Sequence, residues 1–231
     1  MLKRIIGFAV LIALMGVSVG SSQDVVSQAT AFDDNLYPTA IGNKWVYAVV
    51  GKNKEMTVAI VRNEKVGDQN CIVLEASMDV TKDAKTTREV VASEYIALVK
   101  GDYLRFKLGN GVVIPPLPFL KTGAKKGDAW TAKFELQVTS IDEKTKQTSV
   151  EKANATTSYT IGTETLTVPA GTFDCLAVKA ATTEEGKVTL TTIWYAKGLG
   201  PVKQEFDFGK DEEGKENKFT LELKSTSSNA K

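Results

Sequence analysis

From Trp45 onward apolar and polar residues alternate with a period of two, the signature of strands that bury one face. Phe219, Leu221 and Leu223 alternate with Thr220, Glu222 and Lys224. Val188 and Leu190 alternate with Lys187, Thr189 and Thr191, and Met56, Val58 and Ile60 share one face of a third run. Glycine-centred turn signals separate such runs at Gly51, Gly67-Asp68, Gly101-Asp102, Gly109-Asn110-Gly111, Gly127-Asp128, Gly171, Gly186 and Gly214. The spacing predicts an all-β chain of about ten to twelve antiparallel strands joined by hairpins. Residues 88–98 carry a competing helical period through Val91, Tyr95 and Leu98, but a β-branched pair and the Gly101-Asp102 turn favour a strand. A twisted sheet of this size does not stay flat, so a curved sheet, sandwich-like or barrel-like, is expected.

The pattern repeats itself. Gly42-Asn43-Lys44-Trp45 is echoed by Gly127-Asp128-Ala129-Trp130, and each follows a proline, Pro38 or Pro118. The run from Gly67 to Ala76 matches the run from Gly171 to Ala180: a glycine, Asn70 or Asp174, Cys71 or Cys175, then alternating apolar positions. An aromatic strand follows each, at Tyr95 and at Trp194-Tyr195. Order and register agree, which predicts two pseudo-repeats, about 37–114 and 118–224, within one β domain at 34–224. The spacing from Trp to Cys is longer in the second copy, and the extra residues are expected in the polar stretch 142–157. Between the copies, Pro115, Pro116 and Pro118 argue against a central strand. That stretch reads as a stiff linker whose apolar side chains pack on the sheet, or as an exposed apolar loop. The polar tail 225–231 is expected to fray.

The N-terminus changes the picture of where the protein works. Lys3 and Arg4 precede an apolar run at 5–17, and small residues follow at 18–22. This layout reads as a signal peptide over residues 1–22, too short to be a membrane span of about 20 apolar residues. The expectation is an exported protein, periplasmic or secreted, without a membrane span after cleavage. Composition is that of an ordinary globular chain: 231 residues, 42% apolar and 25% charged, with 29 basic against 28 acidic residues. The balance gives no basic field for a nucleic-acid backbone. Histidine is absent, which excludes Ser-His-Asp and Cys-His catalysis and most zinc and haem sites.

Candidate chemistry is sparse, and no catalytic, cofactor-binding or metal-binding residue is assigned. Cys71 and Cys175 are the two cysteines, so in an exported chain they are a candidate disulfide, or else two separate thiols filling space. Alternation sets both on the more polar strand face, opposite Ile72 and Leu74 in one copy and Leu176 and Val178 in the other. Val168-Pro169-Ala170-Gly171 reads as a tight turn and Gly198-Leu199-Gly200 as a loop ending a strand. The acids Asp33-Asp34 and Asp211-Glu212-Glu213 read as solvated runs. The aromatics Trp45, Tyr47, Tyr95, Phe106, Trp130 and Trp194 are the expected lining of the concave face, as core or as ligand contacts.

These residues carry a resemblance. Tyr37-Pro38, Gly42, Trp45 and Tyr47, with Val168-Pro169-Ala170-Gly171-Thr172-Phe173 and Trp194-Tyr195-Ala196-Lys197-Gly198-Leu199-Gly200, resemble a family of exported bacterial proteins catalogued as a domain of unknown function. Lys197 stands where the family usually has proline. The resemblance implies a curved antiparallel β protein of the envelope and brings no catalytic residues. The expected function is a non-catalytic binding or structural role in the cell envelope, with an envelope protein or a hydrophobic ligand as partner. A periplasmic carrier of a lipid or other hydrophobic ligand is the alternative, and a hydrolase using paired carboxylates the third reading.

Overall fold

A computed structural model describes residues 36–82, 85–141, 147–211 and 213–227, so the expected signal peptide at 1–22 and Asp33-Asp34 lie outside the described residues. Twelve strands follow in chain order: β1 Lys44–Val49, β2 Glu55–Val66, β3 Gln69–Lys82, β4 Lys85–Val99, β5 Asp102–Leu108, β6 Gly111–Lys121, β7 Ala129–Ile141, β8 Thr148–Val168, β9 Gly171–Glu184, β10 Lys187–Ala196, β11 Gly200–Lys210 and β12 Glu216–Ser227. Each pairs with its sequence neighbours, and β1 pairs with β12, closing an antiparallel barrel. The competing helix at 88–98 is strand β4. There is no helix among the described residues. Of the expected tail, Ser225, Thr226 and Ser227 do not fray; they pair with Val46, Trp45 and Lys44 to complete the seam.

The two halves share a corner built from the same backbone bonds. Gly42 N donates to Ile60 O (2.8 Å) and Ile60 N to Asn43 O (2.9 Å). Gly127 N donates to Ile161 O (2.9 Å) and Ile161 N to Asp128 O (2.9 Å). Gly42 and Gly127 take φ of 91° and 95°, a left-handed turn open to glycine at no steric cost. Each corner therefore delivers its tryptophan to the second position of a strand, Trp45 in β1 and Trp130 in β7. Cys71 and Cys175 fall in β3 and β9, six strands apart. Equivalent bulges follow, between Tyr95 and Ile96 on β4 and between Trp194 and Tyr195 on β10. The second copy is longer because β7 and β8 have 13 and 21 residues against 6 and 12 in β1 and β2. Residues 142–146, part of the expected insertion, lie outside the described residues.

The proline-rich stretch corrects the expectation from sequence: it is strand β6, in the body of the barrel. Pairing explains how three prolines fit. β6 bonds β7 only over Gly111 to Ile114, and Pro115, Pro116 and Pro118 lie beyond that ladder. On the β5 side the register shifts twice, around Leu104 and Phe106. The missing N–H groups thus fall where no partner strand asks for them. Where β6 and β7 part, Trp130 Nε1 donates to Pro118 O (3.0 Å). Leu117, Phe119 and Leu120 are buried.

Eight strands already make a barrel that side chains can fill, and twelve enclose more space. One end of this barrel is filled by the segment preceding β1. Leu36 and Tyr37 are buried there, with the Tyr37 ring 5.9–6.4 Å from the rings of Trp45, Tyr103, Phe119 and Tyr195. The tip of the β8–β9 hairpin reaches β12 at the same end, where Ala170 N donates to Leu223 O (2.8 Å). Trp45 Nε1 donates to Leu199 O, and Gly200, at φ 85°, lies where an added Cβ would meet Trp45 and Pro38 at 3.4 Å. The Gly198-Leu199-Gly200 motif is therefore the seat of the Trp45 indole. Gly200→Ala is expected to destabilise the fold by about 1–3 kcal/mol, read as a lower urea midpoint with an unchanged m value. An unshifted midpoint would mean that this contact does not hold the plugged end.

Candidate functional site: the barrel lumen

Directly paired residues of antiparallel strands share a face, so the ladder registers assign the lining. Trp45, Tyr47 and Trp130 point inward, as expected of concave-face aromatics. Tyr95, Phe106 and Trp194 do not. Tyr95 and Phe106 pack with Cys71, Val73 and Ala97 in a separate cluster on the outer face. Trp194 pairs with Ala177 and Lys203 on the outer face, its Nε1 donating to Glu164 Oε2 (2.9 Å). The inward residues beside them are Ile96 and Tyr195. Both strands bulge here, which leaves the outer aromatic next to a displaced partner strand; period-two reading does not anticipate that. Tyr37 and Tyr195, which the sequence marked only as motif residues, also lie on the inner side, together with Tyr103, Phe119 and Tyr159.

Beyond Tyr37 the lumen holds a cavity of about 100 Å³, lined by Leu74, Ala76, Ala92, Ile193, Phe206 and Phe219 among others. On β4, β10 and β12 the inward side chains pass from buried to half-buried away from the plugged end: Ile96 to Glu94, Tyr195 to Ile193, Leu221 to Phe219. Solvent therefore enters from that side. Glu94 and Arg105, also missed in the sequence because a charged residue on a hairpin reads as surface, sit in this wall. Arg105 donates to Glu94 Oε2 through Nη2 (2.9 Å) and Nε (3.1 Å), and its guanidinium stacks 4.8 Å above Phe119. The Arg105 side chain is 16% exposed and that of Glu94 39%. Burial works against the guanidinium charge, and the Glu94 carboxylate outweighs it, so Arg105 stays charged. Burial also raises the phenols of Tyr37, Tyr47 and Tyr195, and raises Tyr159 to about 12. All four are neutral at neutral pH. Tyr47 donates to Pro201 O (2.8 Å).

The two thiols are free and buried. Of the two sequence readings, the structure has separate thiols: β3 and β9 lie on different arcs of the ring, each cysteine fixed beside its own neighbours. Their surroundings repeat. Glu64 pairs with Cys71 and Tyr95 with Val73, with Lys107 Nζ 4.4 Å from the Tyr95 ring centre. Glu164 pairs with Cys175 and Trp194 with Ala177, with Lys203 Nζ 5.2 Å from the Trp194 ring centre. These aromatic and aliphatic neighbours cover the thiols, which is why the more polar strand face still buries them. Asp211 accepts from the backbone of Glu213 and Lys215 and so closes a turn. Among the described residues no three Cys, Asp or Glu converge on a metal-sized site.

Burial pushes the Cys71 thiol up, and raises Cys175 from 9.0 to about 12. A thiol that stays protonated in the fold but ionises in the unfolded chain stabilises fully below the unfolded value; that stability is lost as pH rises toward the folded one. Stability is thus expected to fall between pH 9.0 and about 12, and to fall less steeply in Cys175→Ala, as read by urea melts across that range. Thiol reagents at pH 8 should label native Cys175 more slowly than Cys71, and both promptly after unfolding. Equal slopes for the variant and the parent chain would contradict this assignment.

A lipoprotein candidate from Parabacteroides distasonis ATCC 8503 is 16% identical, with a TM-score of 0.47 over 85% of this chain and 100% of that one. An exported-protein candidate with a YmcC-like fold from Bacteroides fragilis NCTC 9343 is 12% identical, with a TM-score of 0.48 over 84% and 100%. The hypothetical lipoprotein YmcC from Escherichia coli K12 is 13% identical, with a TM-score of 0.39 over 81% and 85%. No protein of curated function matches. Over residues 116–215, which hold both the Val168 to Phe173 and the Trp194 to Gly200 motifs, the chain matches the family described as DUF3108-like.

Proposed function

We propose that this protein is an exported, non-catalytic binding protein of the cell envelope, and that its binding element is the barrel lumen. The carrying observation is the cavity of about 100 Å³, apolar in most of its wall and reached by solvent, with one ion pair set into it. Ligand pockets for whole drug-sized molecules measure about 300–1,000 Å³, whereas an apolar cavity of about 150 Å³ accommodates a benzene. The lumen therefore suits one small apolar molecule or the end of a larger one, which narrows the carrier reading away from an entire lipid. Glu94 is the one carboxylate among the residues lining the cavity, and it is engaged by Arg105. A paired-carboxylate hydrolase needs a second acid across the scissile bond, so the lining favours binding.

A closed antiparallel barrel with an even strand number invites comparison with outer-membrane barrels, which need an apolar outer band about 25 Å tall. Here the outer face carries ion pairs on many strands: Arg62–Glu75, Arg88–Asp79, Lys152–Glu135, Lys203–Glu222 and Lys218–Asp207, with Lys224 and Glu55 across the β1–β12 seam. Such a surface supports a barrel that stands in water.

Two outcomes test the reading. Titrating the protein with pentane or benzene should shift the methyl NMR signals of Ala76, Ala92 and Ile193. Ala76→Phe, which fills the cavity, should fold and lose those shifts; persistence of the shifts would locate binding elsewhere. Fractionating the native host should place a shortened chain outside the cytoplasm, beginning just after residue 22. A full-length cytoplasmic product would refute export.

A further inference from the structure

We propose that the lumen recognises a neutral amide on a short apolar body, with Glu94 and Arg105 as its recognition pair. This deepens the lumen-binding reading above and rests on it. Nε and Nη2 of Arg105 both donate to a single oxygen, Glu94 Oε2, so Glu94 Oε1 and Arg105 Nη1 take no part in that contact. No buried side-chain nitrogen or oxygen among the described residues lacks a partner, and both groups line the cavity. With no partner assigned to either atom and neither of them buried unsatisfied, the pair offers the lumen one acceptor oxygen and one donor nitrogen, with no net charge.

Comparison of the two halves shows that the same local strand geometry forms without this pair. Tyr95 and Lys107 on β4 and β5 correspond to Trp194 and Lys203 on β10 and β11, with the same bulge beside them. By that register Glu94 corresponds to Ile193 and Arg105 to Pro201, and both of these also line the cavity. The same strand geometry is built with an aliphatic residue and a proline in one half, and with an ion pair in the other. Desolvating two charges is expensive when packing alone would do, so the pair's place in an open chamber points to a ligand.

Charge decides which ligand. A carboxylate reaching Nη1 lies beside Glu94, and an ammonium reaching Oε1 lies beside Arg105; in a partly dry lumen either repulsion is costly. An amide meets both groups without net charge: its N–H donates to Oε1 and its carbonyl accepts from Nη1, two charge-assisted bonds. The cavity of about 100 Å³ leaves room for a body of a few carbons.

The test uses the signal-cleaved chain and methyl NMR titration with butanamide, butanoate, butylammonium, 2-pentanone and pentane at neutral pH. Butanamide is expected to bind about tenfold more tightly than either ion and several-fold more tightly than the ketone. Glu94→Gln leaves Arg105 uncompensated and should transfer the preference to butanoate, and Arg105→Gln should transfer it to butylammonium. The double variant Glu94→Gln/Arg105→Gln, neutral again, should favour neither ion and guards against a single variant failing to fold. Tightest binding of butanoate by the parent chain, or one unchanged rank order in all variants, overturns the amide assignment. If pentane shifts the lumen methyls and butanamide gains nothing over it, the amide assignment fails and the lumen reading stands. If no probe shifts them, both fail.

Discussion

The rest of this structure depends on ring closure at the β1–β12 seam. An open sheet of this length would leave two rows of unpaired backbone groups; closure removes both edges. β1 has six residues, yet it is bonded along most of its length on both sides, to β2 and to β12. A register shift between Val46 and Tyr47 turns β12 along it. Once the ring is closed, the inward face of every strand is committed to a common interior. Twelve strands make that interior too wide for wall side chains alone. The plug of Leu36 and Tyr37, the folded-over tip of the β8–β9 hairpin and the remaining cavity are three answers to that excess width.

The barrel is consequently polarised. At the plugged end, packing is aromatic and three buried side chains donate to the backbone: Trp45 to Leu199, Tyr47 to Pro201, Tyr103 to Tyr37 (3.4 Å). Midway along the lumen, Arg105 instead donates to Glu94 and stacks on Phe119, with a side of the pair open to solvent. The ion pairs on the outer surface are a different matter. Exposed pairs contribute little stability; what they set here is the polarity of the outer face.

The two halves agree where the ladder is built and differ inside the lumen. Both halves keep the glycine corner, the tryptophan it positions, the buried cysteine and the outer aromatic capped by a lysine, features that fix register. They differ inside, where Glu94 and Arg105 face the lumen from one half and Ile193 and Pro201 from the other.

Several features were set by local chemistry and could be read from the sequence. Period-two alternation between glycine turns determined strand identity and approximate number, because side-chain period and turn geometry are properties of a few consecutive residues. The paired Gly42 to Trp45 and Gly127 to Trp130 segments, and the paired cysteine strands, exposed the repeat for the same reason. Tertiary structure decided everything that depends on which strand lies beside which. It turned Tyr95, Phe106 and Trp194 outward through bulges that the neighbouring strand defines. It admitted three prolines into β6 by withdrawing β7 beyond Ile114. It held the two cysteines on separate arcs as free thiols, and it set Glu94 and Arg105 inside. An isolated charged residue on a hairpin carries no sign of the wall it will face, because that wall is assembled from strands dozens of residues away and exists only once the ring has closed.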